Sequence, residues 1–174
     1  MFIESPRLYL RHFTHNDFKY FVSLHKNDQT TKFMGKGLIS DEEIQKRFEK
    51  VLKHGEELGF SAGAVFEKET DIFIGRCGLV KIGTIVPTEE DHSDKVEIGY
   101  AFLPESWGKG YCQEIVPLVL KYGFETLKLK TIFAKTSKEN KKSQHLITEK
   151  FHFKYYSDVV VEGRDSLLFS LGGE

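Results

Sequence analysis

Cysteine is scarce in this chain of 174 residues: Cys77 and Cys112 are its only thiols. They have no paired spacing that would make a disulfide framework or a zinc site, and a reducing, cytoplasmic setting is the simple expectation. Long hydrophobic runs are missing as well. No stretch approaches the ~18 apolar residues of a membrane span, and Met1-Phe2-Ile3-Glu4-Ser5-Pro6 shows no basic leader followed by an apolar core. No membrane partner and no export are expected. Excess charge of one sign is also lacking. The 25 basic and 26 acidic residues leave a net charge of −1, which gives no general attraction to nucleic acid. The seven histidines are scattered. Only His145 and His152 share a segment, and two ligands are too few for a metal site, so no metal is expected.

What remains is enough for one domain, residues 1–174, with a core that needs no covalent staples. Leu8 to Phe13 alternates apolar and polar side chains as a strand does. Thr14 through Asp17 offers capping residues for a helix carrying Phe18, Phe21, Val22 and Leu24. Ser40-Asp41-Glu42-Glu43 opens another, with Ile44, Phe48, Val51 and Leu52 at helical spacing. Phe60 to Glu67 and Ile72 to Ile82 are β-like runs joined by a polar turn, an antiparallel hairpin.

Residues 83–94 hold Gly83, Pro87 and the acidic Glu89, Glu90, Asp91 and Asp94. This excursion is longer than a hairpin needs and reads either as solvated surface or as a flap that recognises a cationic amine. Lys95 to Leu103 is a strand. Cys112, Ile115, Val116, Val119, Leu120 and Leu127 then stripe a helix, in which Pro117 predicts a bend. A strand from Thr131 to Lys135, a helix from Asn140 to about Phe151, and strands within Tyr155–Val161 and Ser166–Leu171 complete the chain, with Gly163 at the last turn. Strands and helices alternate in the middle and hairpins lie on either side, so the fold class is α/β (α+β) with a mixed sheet.

The most informative stretch joins that central strand to the helix behind it. The apolar run stops at Pro104, and Gly108 and Gly110 stand two apart just before helical periodicity begins. Glycines let the backbone turn tightly and approach a ligand, and the helix start aims unpaired N–H groups at an anion. The third glycine of the dinucleotide fingerprint and the Gly-x-x-x-x-Gly-Lys-Ser/Thr of ATP P-loops are both absent, so another phosphate-bearing ligand is needed.

Glu97-Ile98-Gly99-Tyr100, Pro104-x-x-Trp107-Gly108-Lys109-Gly110-Tyr111, Asn140-x-x-Ser143 and Glu149-Lys150-x-x-Phe153 stand in the order and spacing of the GNAT N-acetyltransferases. The chain resembles their RimJ/RimL-like branch. Ser5-Pro6-Arg7-Leu8-x-Leu10-Arg11 and Ile74-Gly75-Arg76-Cys77-Gly78-Leu79 extend the likeness over nearly the whole chain. The resemblance implies a mostly antiparallel sheet of about seven strands flanked by about four helices and splayed to admit acyl-CoA. It implies acetyl-CoA as co-substrate and an amine acceptor, either a small molecule or a protein N-terminus, such as that of a ribosomal protein. It also implies a monomer or homodimer. The cofactor would be held by Phe102 and Leu103 at the strand end, by Ser106, Trp107, Gly108, Lys109, Gly110 and Tyr111 on the loop, and by Asn140 and Ser143.

Acyl transfer from a thioester to an amine needs a proton acceptor for the amine and a proton for the departing thiolate. By resemblance Glu97 is the base, with Asp158 and Glu162 in reserve; a structural carboxylate in the sheet is the other reading of Glu97. Many members place a tyrosine as the acid where this chain has Ile147, so Ser143 inherits that role. Asn140 reads as a pantetheine partner or as a helix cap, and Glu105 should face solvent. A non-catalytic acyl-CoA-binding module on the same fold is the alternative function.

Overall fold

The computed structural model describes residues 1–172. Its elements begin where the local chemistry allows. Thr14 and Asp17 close a capping box ahead of α1 (Phe18–His25), the Thr14 N–H donating to the Asp17 carboxylate at 2.7 Å. A single turn, α2 (Asp28–Thr31), follows. Ser40 Oγ accepts the Glu43 N–H at 3.2 Å and starts α3 (Asp41–Leu58), whose first turn is acidic as a helix dipole favours. Gly59, at φ +73°, ends it in the left-handed conformation that glycine adopts freely.

The strands are β1 (Phe2–Glu4), β2 (Leu8–His12), β3 (Ala62–Glu67), β4 (Phe73–Lys81), β5 (Val96–Phe102), β6 (Thr131–Ser137), β7 (Lys154–Val161) and β8 (Arg164–Gly172). They form one sheet in the order β1-β2-β3-β4-β5-β6-β8-β7. Every neighbouring pair is antiparallel except β5 and β6, which run parallel and meet only at Glu97 and Phe133. Helices α4 (Tyr111–Glu125) and α5 (Lys141–His145) follow β5 and β6.

The α4 side of the sheet carries one large core, in which Cys77, Leu79, Ile98, Ile115, Val119, Ile132 and Phe169 meet. The opposite side carries two. Phe21, Leu24, Ile44, Phe48 and Val51 of α1 and α3 pack on β3 and β4, whereas Ile82, just past β4, packs with Phe133, Val159, Val161 and Leu168 from beyond the split. Burying each such side chain is worth about 1.5–3 kcal/mol.

The expected class is observed, with eight strands and five α-helices among the described residues. β1 adds the extra strand; its three residues are too few to show alternation. The first expected strand ends at His12 rather than Phe13. The helix after Asn140 is not uniform: α5 widens into a π turn over Leu146–Lys150, and His152 leaves it at φ +60°. Pro117 is exposed and α4 runs on through it to Glu125. Glu162 and Gly163, at φ +49° and +76°, make the two-residue hairpin between β7 and β8. No helix among the described residues is long and apolar enough to cross a membrane.

Gly78 of β4 sits tight against the backbone that enters β3: a Cβ there would lie 2.2 Å from the Ser61 carbonyl oxygen. Gly78→Ala is therefore expected to cost about 2 kcal/mol or more, lowering the melting midpoint by roughly 5 °C in thermal denaturation.

Candidate active site

The break between β5 and β6 opens the middle of the sheet. Leu103 N–H donates to Ile74 O on the β4 side at 2.9 Å. By strand alternation, the N–H and C=O groups of Tyr100 and Phe102 therefore turn toward β6, where no ladder meets them. One is used locally: Trp107 Nε1 donates to Phe102 O at 2.7 Å while half of the tryptophan stays exposed. Trp107 thus fastens the loop to the end of β5.

The loop itself is a short turn followed by a run of open amides. Ser106 and Trp107 N–H groups are spent inside the turn, on Leu103 O at 2.9 Å and Pro104 O at 3.1 Å. From Gly108 to Gln113 no backbone N–H finds an acceptor among the described residues, and the first helical bond is that of Glu114 to Gly110 O. Gly108 and Gly110 adopt φ +74° and +78°, and a Cβ at Gly108 would meet nothing within 4 Å. Such a cradle suits a pyrophosphate: open, rigid, and at the positive end of a 15-residue helix. Glu105 faces solvent, as anticipated.

A latch that the sequence did not reveal holds this cradle in place. Glu114, in the first turn of α4, accepts from Ser5 Oγ at 2.6 Å, from Arg7 N at 2.8 Å and from Arg7 Nε at 2.7 Å. Arg7 Nη1 also donates to Lys109 O at 3.0 Å, and its guanidinium lies 4.7 Å from the Tyr111 ring centre. The Ser5-Pro6-Arg7 segment is the signal for it, yet only folding shows that its partner is 107 residues away.

On the α4 side of the opening, Asn140 Oδ1 accepts the Ser143 N–H at 3.1 Å, the capping role, and leaves Ser143 Oγ 3.3 Å from the Tyr100 hydroxyl. Burial pushes the Tyr100 phenol pKa up, so it stays protonated at neutral pH. Ile147 is 1% exposed and packs in the core, where it replaces a donor with hydrocarbon. Burial raises both thiols, Cys112 to about 12, so neither cysteine is a poised nucleophile.

On the opposite side, Glu97 is buried and ion-paired with Lys135 across the vertex of the split. Glu162 is bound to Arg47 of α3. Asp158 is exposed, and the Lys138 ammonium at 2.8 Å and the Tyr155 hydroxyl at 3.0 Å hold its carboxyl below the usual range. The acidic excursion is pinned to β7, Glu89 N–H donating to Val160 O at 3.1 Å, with Glu89, Glu90, Asp91 and Asp94 in solvent. Among the described residues no group of three His, Cys, Asp or Glu side chains gathers as a metal site.

A split mixed sheet, an open strand edge and a run of open amides where the next helix starts are the features that define the class of fold. Residues 7–154 match the acetyltransferase (GNAT) domain, and the chain belongs to that family of acetyltransferase enzymes. The N-acetyltransferase YoaA of Bacillus subtilis, itself uncharacterized, is 28% identical over 83% of this chain and 78% of its own length. An acetyltransferase structure from Agrobacterium tumefaciens superposes with a TM-score of 0.82 at 21% identity, over 99% of this chain and 95% of that one. Spermidine N-acetyltransferase from Vibrio cholerae, solved with CoA and spermine, gives 0.75 at 21% identity, covering 95% of each chain.

Burial raises the Glu114 carboxyl pKa, but the bonds from Ser5 and Arg7 outweigh it and leave the net shift downward. The stability this confers is present above the unfolded glutamate pKa of about 4.3 and is lost as pH falls through the lower folded value. Glu114→Gln should therefore cost about 1 kcal/mol at pH 7, a drop of roughly 2–4 °C. The gap to the parent should close in melting curves taken below about pH 4.

Proposed function

We propose that this chain transfers an acetyl group from acetyl-CoA to a primary amine by direct attack in a ternary complex. The acceptor is a small molecule or a protein N-terminus, as in the RimJ/RimL-like branch. The observation that carries this reading is the continuity between the unpaired edge of β5 and the open amides from Gly108 to Gln113. An extended arm with amides of its own satisfies the first and a pyrophosphate the second. Acetyl-CoA would supply the activated acyl group. Gly108, Lys109, Gly110 and Tyr111 would hold its phosphates through their backbone. Phe102 and Leu103 would line the arm, and Ser106 and Trp107 would shape the turn.

The raised thiols argue for direct attack, since a covalent acyl-cysteine needs a thiolate that burial suppresses here. Tyr100 and Ser143 form the proton-donating pair. The phenol keeps its proton, Ser143 Oγ is its one polar partner among the described residues, and together they stand in for the tyrosine that Ile147 displaces. Glu97 is the proton acceptor, directly or through water. It is the buried carboxylate on the strand that carries Tyr100, whereas Glu162 is engaged by Arg47 and Asp158 faces outward. To serve, it exchanges part of its bond to Lys135 for the incoming ammonium.

Acetyl-CoA at one hundred times Kd should add about 2.7 kcal/mol, raising the midpoint by roughly 5–10 °C, with no such shift from NADH or ATP. An unmoved midpoint would refute the cradle. In steady-state assays Tyr100→Phe and Ser143→Ala should each lower kcat on the order of 10²-fold while that thermal shift persists. Unchanged turnover in both variants would remove the pair from the mechanism and favour a non-catalytic acyl-CoA-binding module.

A further inference from the structure

The face of the sheet that bears Glu97 holds a hollow over its central strand. Gly99 and Ala101 follow Glu97 on that face at strand spacing, and both keep partial exposure although β5 is flanked by strands and by helices. Gly99 and Ala101 belong to neither of the two apolar clusters of that face, which touch one another through Val86. Only one side chain comes near Gly99. Arg76 Nη1 lies 3.9 Å from where a Cβ would stand, and no other heavy atom lies within 4 Å. Arg76 pairs with Ala101 across β4 and β5, so its side chain rises on the same face.

The charges around this hollow are matched, except that one. Lys135 is bound to Glu97, Arg47 to Glu43 and Glu162, and Arg164 to Glu139 and the Gly35 carbonyl. Arg76 makes no hydrogen bond and no ion pair among the described residues. Its Nε is sealed from solvent without a partner, while its terminal nitrogens, equally unbonded, retain access to the hollow. Burial first, and then the charges of Arg76 and Arg47, hold the His25 imidazole down to about 4, so His25 adds no charge of its own. An unpaired guanidinium half inside a protein is costly unless an anion joins it, and its planar fork fits a carboxylate with two parallel bonds.

We propose that Arg76 anchors a carboxylate carried by the acceptor itself, so that the substrate is an aminocarboxylate, as a free amino acid is, and not a polyamine. This deepens the acetyl-transfer reading and rests on it for the identity of the acceptor site. The amine is then directed toward Glu97 on the same face while Arg76 grips the other end of the molecule. A polyamine would bring only positive charge to a hollow whose one unmatched group is already a cation.

Calorimetric titration of the protein saturated with CoA tests this without requiring turnover. The ligands are a panel of amino acids, their uncharged carboxamides, phosphoethanolamine and spermidine. Amino acids should bind at least about 30-fold tighter than their carboxamides, and tighter than spermidine. Arg76→Gln should erase that preference while costing little in melting midpoint, because it removes a buried charge that makes no hydrogen bond or ion pair among the described residues and whose burial outweighs the attraction of Glu97. Arg76→Lys, a point charge without the fork, should restore part of it. Tighter binding of spermidine or of phosphoethanolamine than of every amino acid overturns the proposal. So does undiminished discrimination in Arg76→Gln, or no binding by any amino acid. Acetylation assays on the same panel separate the two readings. Amino acids that bind through Arg76 but are never acetylated leave the anchor standing and remove the transfer, whereas acetylated spermidine beside unreactive amino acids does the reverse.

Discussion

One interrupted ladder governs this molecule. β5 and β6 lie side by side and parallel in the middle of an eight-stranded sheet, yet share a single pairing at Glu97 and Phe133. Buried backbone groups left without a partner cost about 1–3 kcal/mol each, so a sheet does not open at its centre unless something holds it open. Here each half is braced on its outer side: β5 pairs with β4 from Val96 to Phe102, and β6 pairs with β8 from Thr131 to Ser137. The Glu97–Lys135 ion pair straddles the vertex. The result is a rigid cleft whose wall is hydrogen-bonding backbone.

The other parts of the site take their positions from that cleft. The strand that loses its neighbour runs on into the glycine loop, which puts the anion cradle at one end of the open edge. Trp107 and the Arg7–Glu114 latch fix the loop from opposite directions, one through β5 and the other through the N-terminal segment. On one face of the split Tyr100 meets Ser143; on the other Glu97 and Arg76 look into a hollow over Gly99 and Ala101. Tyr100 and Glu97 thus come from one strand, three residues apart and on opposite faces of the sheet. The alternation of side chains along β5 gives that arrangement without further machinery.

Much of this was legible in the chain. Ser40 opens α3, the alternation in residues 96–102 marks β5, and Gly108 with Gly110 announces the glycine loop, because capping, strand period and positive φ are local requirements written in local residues. β1 and the π turn after α5 were not legible: the first is stabilised by pairing with β2, and the second follows from how Ile147, Phe151 and Phe153 seat in the core. The class of fold, the family and the loop can be read along the chain, since each depends on residues near one another in it. Which partner each charge takes is set by folding. Glu97 is bound to Lys135, Glu162 to Arg47 and Glu114 to Arg7, and Arg76 makes no ion pair among the described residues. Ion pairs and hydrogen bonds are set by distances in space across many residues of separation, and composition carries no record of them.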